Sequence, residues 1–243
     1  MNIRQTSNSA RYHRWRSFSY SDRASCRSDH STHKCEGYAE GGNFCGLLTP
    51  YKVYFVAEFD TDAVESGIWK RNELKPNSTF AEGEYSGVYF TFDVSKKKNV
   101  QYKIGVSYVS IDNARENLKA ENAGWDFKKI QNQAEAKWNH YLGMMEVEGT
   151  NPDRITQFYT HLYRSFAHPN VCSDVNGEYM GADFRVHKTR SKHYTSFSNW
   201  DTYRTQIQLL SMLDPETASD IVILINYLPN SRVAFSSLGD GKH

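Results

Sequence analysis

Three residues of the chain combine the side chains that grip a sugar: Trp200, Asp201 and Arg204, in the run YTSFSNWDTYRTQIQLLSML from Tyr194 to Leu213. A flat apolar ring stacks on the C–H face of a pyranose, while a carboxylate and a guanidinium hydrogen-bond vicinal hydroxyls. The same residue types have a plainer use. An aromatic near a helix start packs in a core, and an aspartate in a first turn answers the helix dipole. The run itself changes character midway. Tyr194, Thr195, Phe197 and Ser198 suit strand or loop, and from Trp200 onward Tyr203, Ile207, Leu210 and Leu213 fall at helical spacing. With Ser198 or Asn199 as cap, the three candidate residues would occupy the first turn of that helix.

Composition sets the bounds. A chain of 243 residues can bury a core as one or two domains. A net charge of +1, with 23% charged residues, supplies no electrostatic reason to bind nucleic acid or an anionic membrane. No apolar run is long enough to span a bilayer, and the N-terminus has no apolar core of a secretory signal. Aromatics make up 14%, a content that suits both sheet packing and sugar stacking. Four cysteines (Cys26, Cys35, Cys45 and Cys172) are too few for a disulfide framework and leave the compartment open.

Residues 1–35 are rich in Ser, Arg and His and carry neither a strand nor a helix period, so a disordered or atypical tail is expected. Cys26, His30, His33 and Cys35 are spaced C-x3-H-x2-H-x-C, which matches no common zinc finger, and no metal site is assigned. Residues 36–111 read as antiparallel sheet. Val53–Phe59 is a dense β-branched and aromatic run, and Tyr85–Val94 alternates. In Val100–Ile111 the residues Val100, Tyr102, Ile104, Val106 and Tyr108 share one face. Asp60–Thr79 is polar and turn-rich, a loop or weak strand pair, and Asn77-Ser78-Thr79 is a sequon.

Residues 112–150 are expected to form linker helices. Asp112 can cap a first one, Gly124 breaks it, and Phe127, Ile130, Ala134, Trp138 and Tyr141 describe a second with a single apolar stripe and Trp138 in the core. From 151 to 243 the pattern is helical. Asn151-Pro152 is a cap followed by a first-position proline, and Asp214-Pro215-Glu216 repeats the device. Between them lies a non-helical excursion, Cys172 to Phe197, with turns at Asp174–Gly177 and Gly181–Asp183 and a short strand Glu178–Met180. Asp174-x-Asn176-Gly177 shares part of a calcium-loop spacing but lacks the downstream carboxylate, and is read as a turn. His161 and His168 have no partner at metal spacing and are read as structural or solvent-facing.

Several words occur together in one order: SYVSIDNARENLKAEN, FYTHLYRSF, SDVNGEYMG and FSNWDTYR. This set resembles glycoside hydrolase family 92, the calcium-dependent exo-α-mannosidases, over about Glu36 to Leu228. The resemblance implies an N-terminal antiparallel β-sandwich, a linker helix and the first helices of an (α/α)6 barrel, an α+β two-domain chain. It implies inverting hydrolysis of terminal, often α-1,2-linked, mannose in glycan breakdown, with carboxyl groups about 6.5–9.5 Å apart as acid and base. It places Asp183, after Y-x-G, together with Trp200, Asp201 and Arg204, in the sugar subsite. The family's acid, base and calcium ligands lie C-terminal of the signature helix, so no catalytic residue is assigned within this chain. An unfinished barrel, inactive alone and prone to self-association through exposed helix faces, is the expectation. Mannose-containing glycans are the implied partners, Ca2+ the implied ion, and a secreted, periplasmic or cell-surface location the implied setting, with the cytosol as the alternative. A carbohydrate-binding protein without turnover is the rival class, and a zinc or nucleic-acid module in residues 1–35 a second.

Overall fold

The computed structural model describes residues 12–16, 23–28, 32–42, 50–95, 97–195 and 202–227. The chain divides into two compact units, Met1–Trp125 with Asp174–Asn176, and Asp126–Ser173 with Gly177–His243.

The first unit is two antiparallel sheets. One has the order β1 (Tyr12–Arg16), β8 (Ser86–Asp93), β5 (Glu65–Lys70), β6 (Glu73–Pro76). The other runs β7 (Phe80–Glu82), β2 (Arg23–Arg27), β3 (Lys34–Gly41), β4 (Tyr51–Phe59), β9 (Tyr102–Ser107). The two sheets bury one common core, in which Cys35, Ala57, Phe59 and Ala81 meet Ile68, Val88, Phe90 and Phe92. Phe59 lies 5.2 Å from the ring of Phe90 and 5.0 Å from that of Phe92. Each such ring contributes about 2–3 kcal/mol when removed from water. The expected strands are therefore present. Of the two alternatives for the turn-rich stretch after Asp60, the strand pair is the one present: β5 and β6 form a hairpin that turns at Arg71.

Residues 1–35 differ from expectation. They hold β1, paired with β8, and β2, paired with β3 and β7. Their ladders are made of backbone N–H and C=O groups, which need no alternating side-chain period. That is why the pattern was silent. Of the residues in the zinc-like spacing, Cys35 is fully buried in the sandwich core, and His33 is an exposed partner of Asp62. His30 lies outside the described residues.

Helix α1 (Ile111–Glu121) covers the outer face of the five-stranded sheet. Its cap is Ser110 rather than Asp112, the Ser110 Oγ accepting the Asn113 N–H at 3.1 Å. Val56, Ala114 and Leu118 form the interface, and Gly105 of β9 makes it possible. A Cβ at 105 would sit 2.3 Å from the Ala114 carbonyl oxygen. The faces of β9 are consequently used in an unexpected way. Gly105 and Ser107 are buried under α1, while the apolar set Tyr102, Ile104 and Val106 stays 39%, 39% and 52% exposed at the sheet's end.

The second unit contains α2 (Phe127–Leu142), α3 (Pro152–Phe166), α4 (Gln206–Leu213) and α5 (Pro215–Tyr227), with two small antiparallel pairs between α3 and α4. As expected, Asn151 caps α3, its Oδ1 accepting from Asp153 N–H at 2.9 Å, and Pro152 fills the first position. Tyr194, Leu210 and Ile221 are its buried centre, with Phe166 and Ile207 against them. One expectation fails: Trp138 is half-buried, its ring 4.5 Å from that of Tyr163 on α3. Val222 of α5 is exposed. His161 and His168 are at the surface, as expected.

Candidate functional site

The excursion after α3 is built on a hairpin of the strands Glu178–Met180 and Val186–Lys188, in register Met180 opposite Val186. The tip closes through backbone bonds: Gly181 N–H donates to Arg185 O at 2.8 Å, and Phe184 N–H to Gly181 O at 3.0 Å. Asp183 is fixed within it. His187 Nε2 stands 2.9 Å from one carboxylate oxygen and 3.0 Å from the other, and the Arg185 N–H donates to Oδ1 at 3.2 Å. The imidazole contact, with help from that N–H, holds the Asp183 carboxyl below the usual carboxylate range. It stays ionised near neutrality, as a hydroxyl acceptor must and a general acid must not. Gly181 clears the space, since a Cβ there would lie 2.5 Å from Asp183 Oδ1 and 2.6 Å from His187 Cδ2.

The same hairpin carries a stack. Tyr179 lies 3.7 Å from the His193 ring and 5.6 Å from the His187 ring. Burial in this stack, with His187 nearby, lowers the His193 pKa to about 4. At neutral pH His193 is therefore an uncharged ring that packs rather than titrates.

Arg204 occupies the turn before α4, not the first turn of a helix. Tyr203–Thr205 are turn residues, Thr205 has φ 66°, and the continuous helix starts at Gln206. Its guanidinium lies over the Tyr203 ring, 5.2 Å away, and the Nε–H donates to the Tyr203 hydroxyl. With Arg164, Gln206 and Gln208 it lines a shallow open depression. Trp200 and Asp201 lie outside the described residues, as do Ser198 and Asn199. Among the described residues no hydrogen bond or ion pair joins Arg204 to Asp183, so the structure leaves these two sugar candidates on separate elements.

Asp174 is the buried acid of the excursion, and it belongs to the first unit. Its Oδ2 accepts from Ser107 Oγ and Asn113 Nδ2, and its Oδ1 from Asn117 Nδ2, each at 2.7 Å. Asn117 also receives the Val175 N–H at 2.9 Å. Asp174–Gly177 is thus a turn, as read, with its carboxylate already occupied by three neutral donors. This bears on calcium, which requires several converging oxygen ligands. Among the described residues no three His, Cys, Asp or Glu side chains converge on a point, so they do not fit such an ion.

The residues that sequence reasoning passed over are His187 and Gly181. The D-x3-H spacing is their sole local signal, and it becomes meaningful once a hairpin folds it back.

An antiparallel double sheet and, after it in sequence, a helical unit whose hairpin carries the ionised Asp183 define a two-unit protein of the sheet-then-helix kind. Comparison with known families is specific. The glycosyl hydrolase family 92 N-terminal domain matches residues 5–107, and the family 92 catalytic domain matches residues 113–227. The chain belongs to glycosyl hydrolase family 92. The match at the front begins well before Glu36, in keeping with the strands found there. A family GH92 inverting mannosidase from Bacteroides thetaiotaomicron is similar with 27% identity and a TM-score of 0.72, over 82% of this chain and 27% of that one. A family GH92 α-mannosidase of the same organism has 25% identity and a TM-score of 0.75, over 88% and 29%. A protein of Arthroderma benhamiae described as an uncharacterized secreted glycosidase is 26% identical over 172 residues, 64% of this chain and 21% of the relative. The chain thus spans less than a third of the length of these relatives. No helix among its described residues is long and apolar enough to cross a membrane.

Proposed function

We propose that this chain supplies the sandwich and one sugar-gripping wall of an exo-acting α-mannosidase, which removes terminal mannose from glycans with inversion outside the cytosol. The observation that carries this reading is the paired match of both family 92 domains, in order, alongside the 27% identical inverting mannosidase. In this reading Trp200 stacks on the sugar ring, while Asp201, Arg204 and Asp183 bond its hydroxyls. Asp183 fits the part chemically, being ionised, partly exposed and oriented by His187. Calcium belongs to the family reading, but no step is assigned to it, because the described side chains do not assemble its ligands.

The test is to titrate the full chain with methyl α-mannoside by ligand-observed NMR and to assay 4-nitrophenyl α-mannoside alongside. The expected result is weak binding, abolished by Trp200→Ala or Arg204→Ala and untouched by EDTA, with no turnover. Hydrolysis by this chain alone, or mannoside binding that both variants leave intact, overturns the assignment.

A further inference from the structure

The hairpin tip holds a residue that neither packing nor backbone preference accounts for. Phe184 has φ 59°, in the left-handed region that a bulky side chain avoids, and its side chain is 60% exposed. The strain is held in place by the bonds from Gly181 N–H to Arg185 O and from Phe184 N–H to Gly181 O. Such a ring gains little burial to offset its conformation, and strained exposed residues collect at ligand-contacting loops. Its chain neighbour is Asp183, whose carboxylate is pinned at both oxygens by His187. A flat apolar ring next in sequence to a fixed carboxylate is a pair that suits a pyranose, with C–H bonds over the ring and vicinal hydroxyls donating to the acid.

We infer that Phe184 is a sugar-stacking residue, and that the tip Gly181–Arg185 forms a carbohydrate contact in which Phe184 and Asp183 act together on one hexose. The inference rests on the reading of Asp183 as a hydroxyl acceptor and adds a specificity-determining aromatic to it. Gly181 is part of the device, because any side chain there would strike the Asp183–His187 pair.

The experiment compares the full chain with Phe184→Gly, Phe184→Tyr and Arg204→Ala, titrating methyl α-mannoside and an α-linked mannobiose by ligand-observed NMR while recording thermal melts. Phe184→Gly should weaken binding about fivefold to tenfold. It should also leave the melting temperature level or raised, since glycine adopts the same backbone freely. Phe184→Tyr should bind within about twofold of the native chain, because the ring face is kept. If Phe184→Gly lowers the melting temperature sharply, the ring is a packing residue and the inference falls. If Arg204→Ala abolishes binding while Phe184→Gly changes nothing, the mannoside reading stands and this inference alone is lost. If the native chain binds neither sugar, both fall. Binding of an alkylammonium ion in place of either sugar, lost in Phe184→Gly, would reassign the tip to cations and overturn the sugar contact.

Discussion

Replacing Asp174 tests whether the buried carboxylate organises the first unit. Asp174, Ser107, Asn113 and Asn117 are 7%, 2%, 7% and 8% exposed, and every carboxylate bond comes from a neutral donor at 2.7 Å. In Asp174→Ala the Ser107 hydroxyl can turn, and Asn117 keeps its bond to the Val106 carbonyl at 2.8 Å. The Asn113 amide and one proton of Asn117 lose this carboxylate as an acceptor. A buried donor without a partner costs about 1–3 kcal/mol, which puts the loss at about 3–4 kcal/mol. Asp174→Asn keeps the shape and a single carbonyl but points an amide at another donor, so about 2 kcal/mol is expected. Urea unfolding followed by far-ultraviolet dichroism measures both, and a double cycle with Asn113→Ala should return a coupling of about 1–3 kcal/mol. An Asp174→Ala variant within about 0.5 kcal/mol of the native chain would refute the reasoning, and so would additivity in the cycle.

Other outcomes follow from single contacts. Gly105→Val drives a side chain into the Ala114 carbonyl and Leu118, and should cost at least about 2–3 kcal/mol in the same urea assay. Acidification should destabilise the second unit through His193. Its folded pKa of about 4 lies below the unfolded value, so the unfolded chain binds more protons between those limits. That stability is complete above about pH 6.5 and is lost as pH falls toward about 4. Partial exposure reduces its size to about 1 kcal/mol, and His193→Phe should flatten this part of the pH profile. Phe127, Met212 and Val222 are 72%, 78% and 52% exposed, so the isolated chain should bind a hydrophobic dye and grow in apparent mass with concentration. A sharp monomeric melt with low dye binding contradicts that.

Strands with dense β-branched runs and helices with paired cap signals were legible before any coordinates. Val53–Phe59 and Asn151-Pro152 are cases in which local chemistry and tertiary packing agree. The failures lie where tertiary partners decide. β1 and β2 take their order from ladder partners at least nine residues away in sequence, β2 pairing with β3 and β1 with β8. The apolar alternation of β9 names a face but not whether that face is covered, and the glycine that seats α1 settled it otherwise. At the candidate site Asp183 is a sugar candidate by the family resemblance, whereas His187 joins it through a hairpin register. The continuous helix α4 begins at Gln206, whereas the apolar spacing starts at Trp200, so Arg204 stands in a turn before it. The Asp174 cluster was hidden for the same reason: Ser107, Asn113 and Asn117 come from a segment some sixty residues upstream.

Cys35 sits at the meeting of the two sheets with none of its surface accessible. A thiolate there can meet an alkylating reagent only when the sandwich itself opens. The protein therefore carries its own clock for that opening. Labelling at this sulfur, read peptide by peptide, should lag behind labelling at Cys172, which is partly accessible. A ligand that closes on the sandwich would slow that clock, and one that grips only the helical half would leave it running at the same rate.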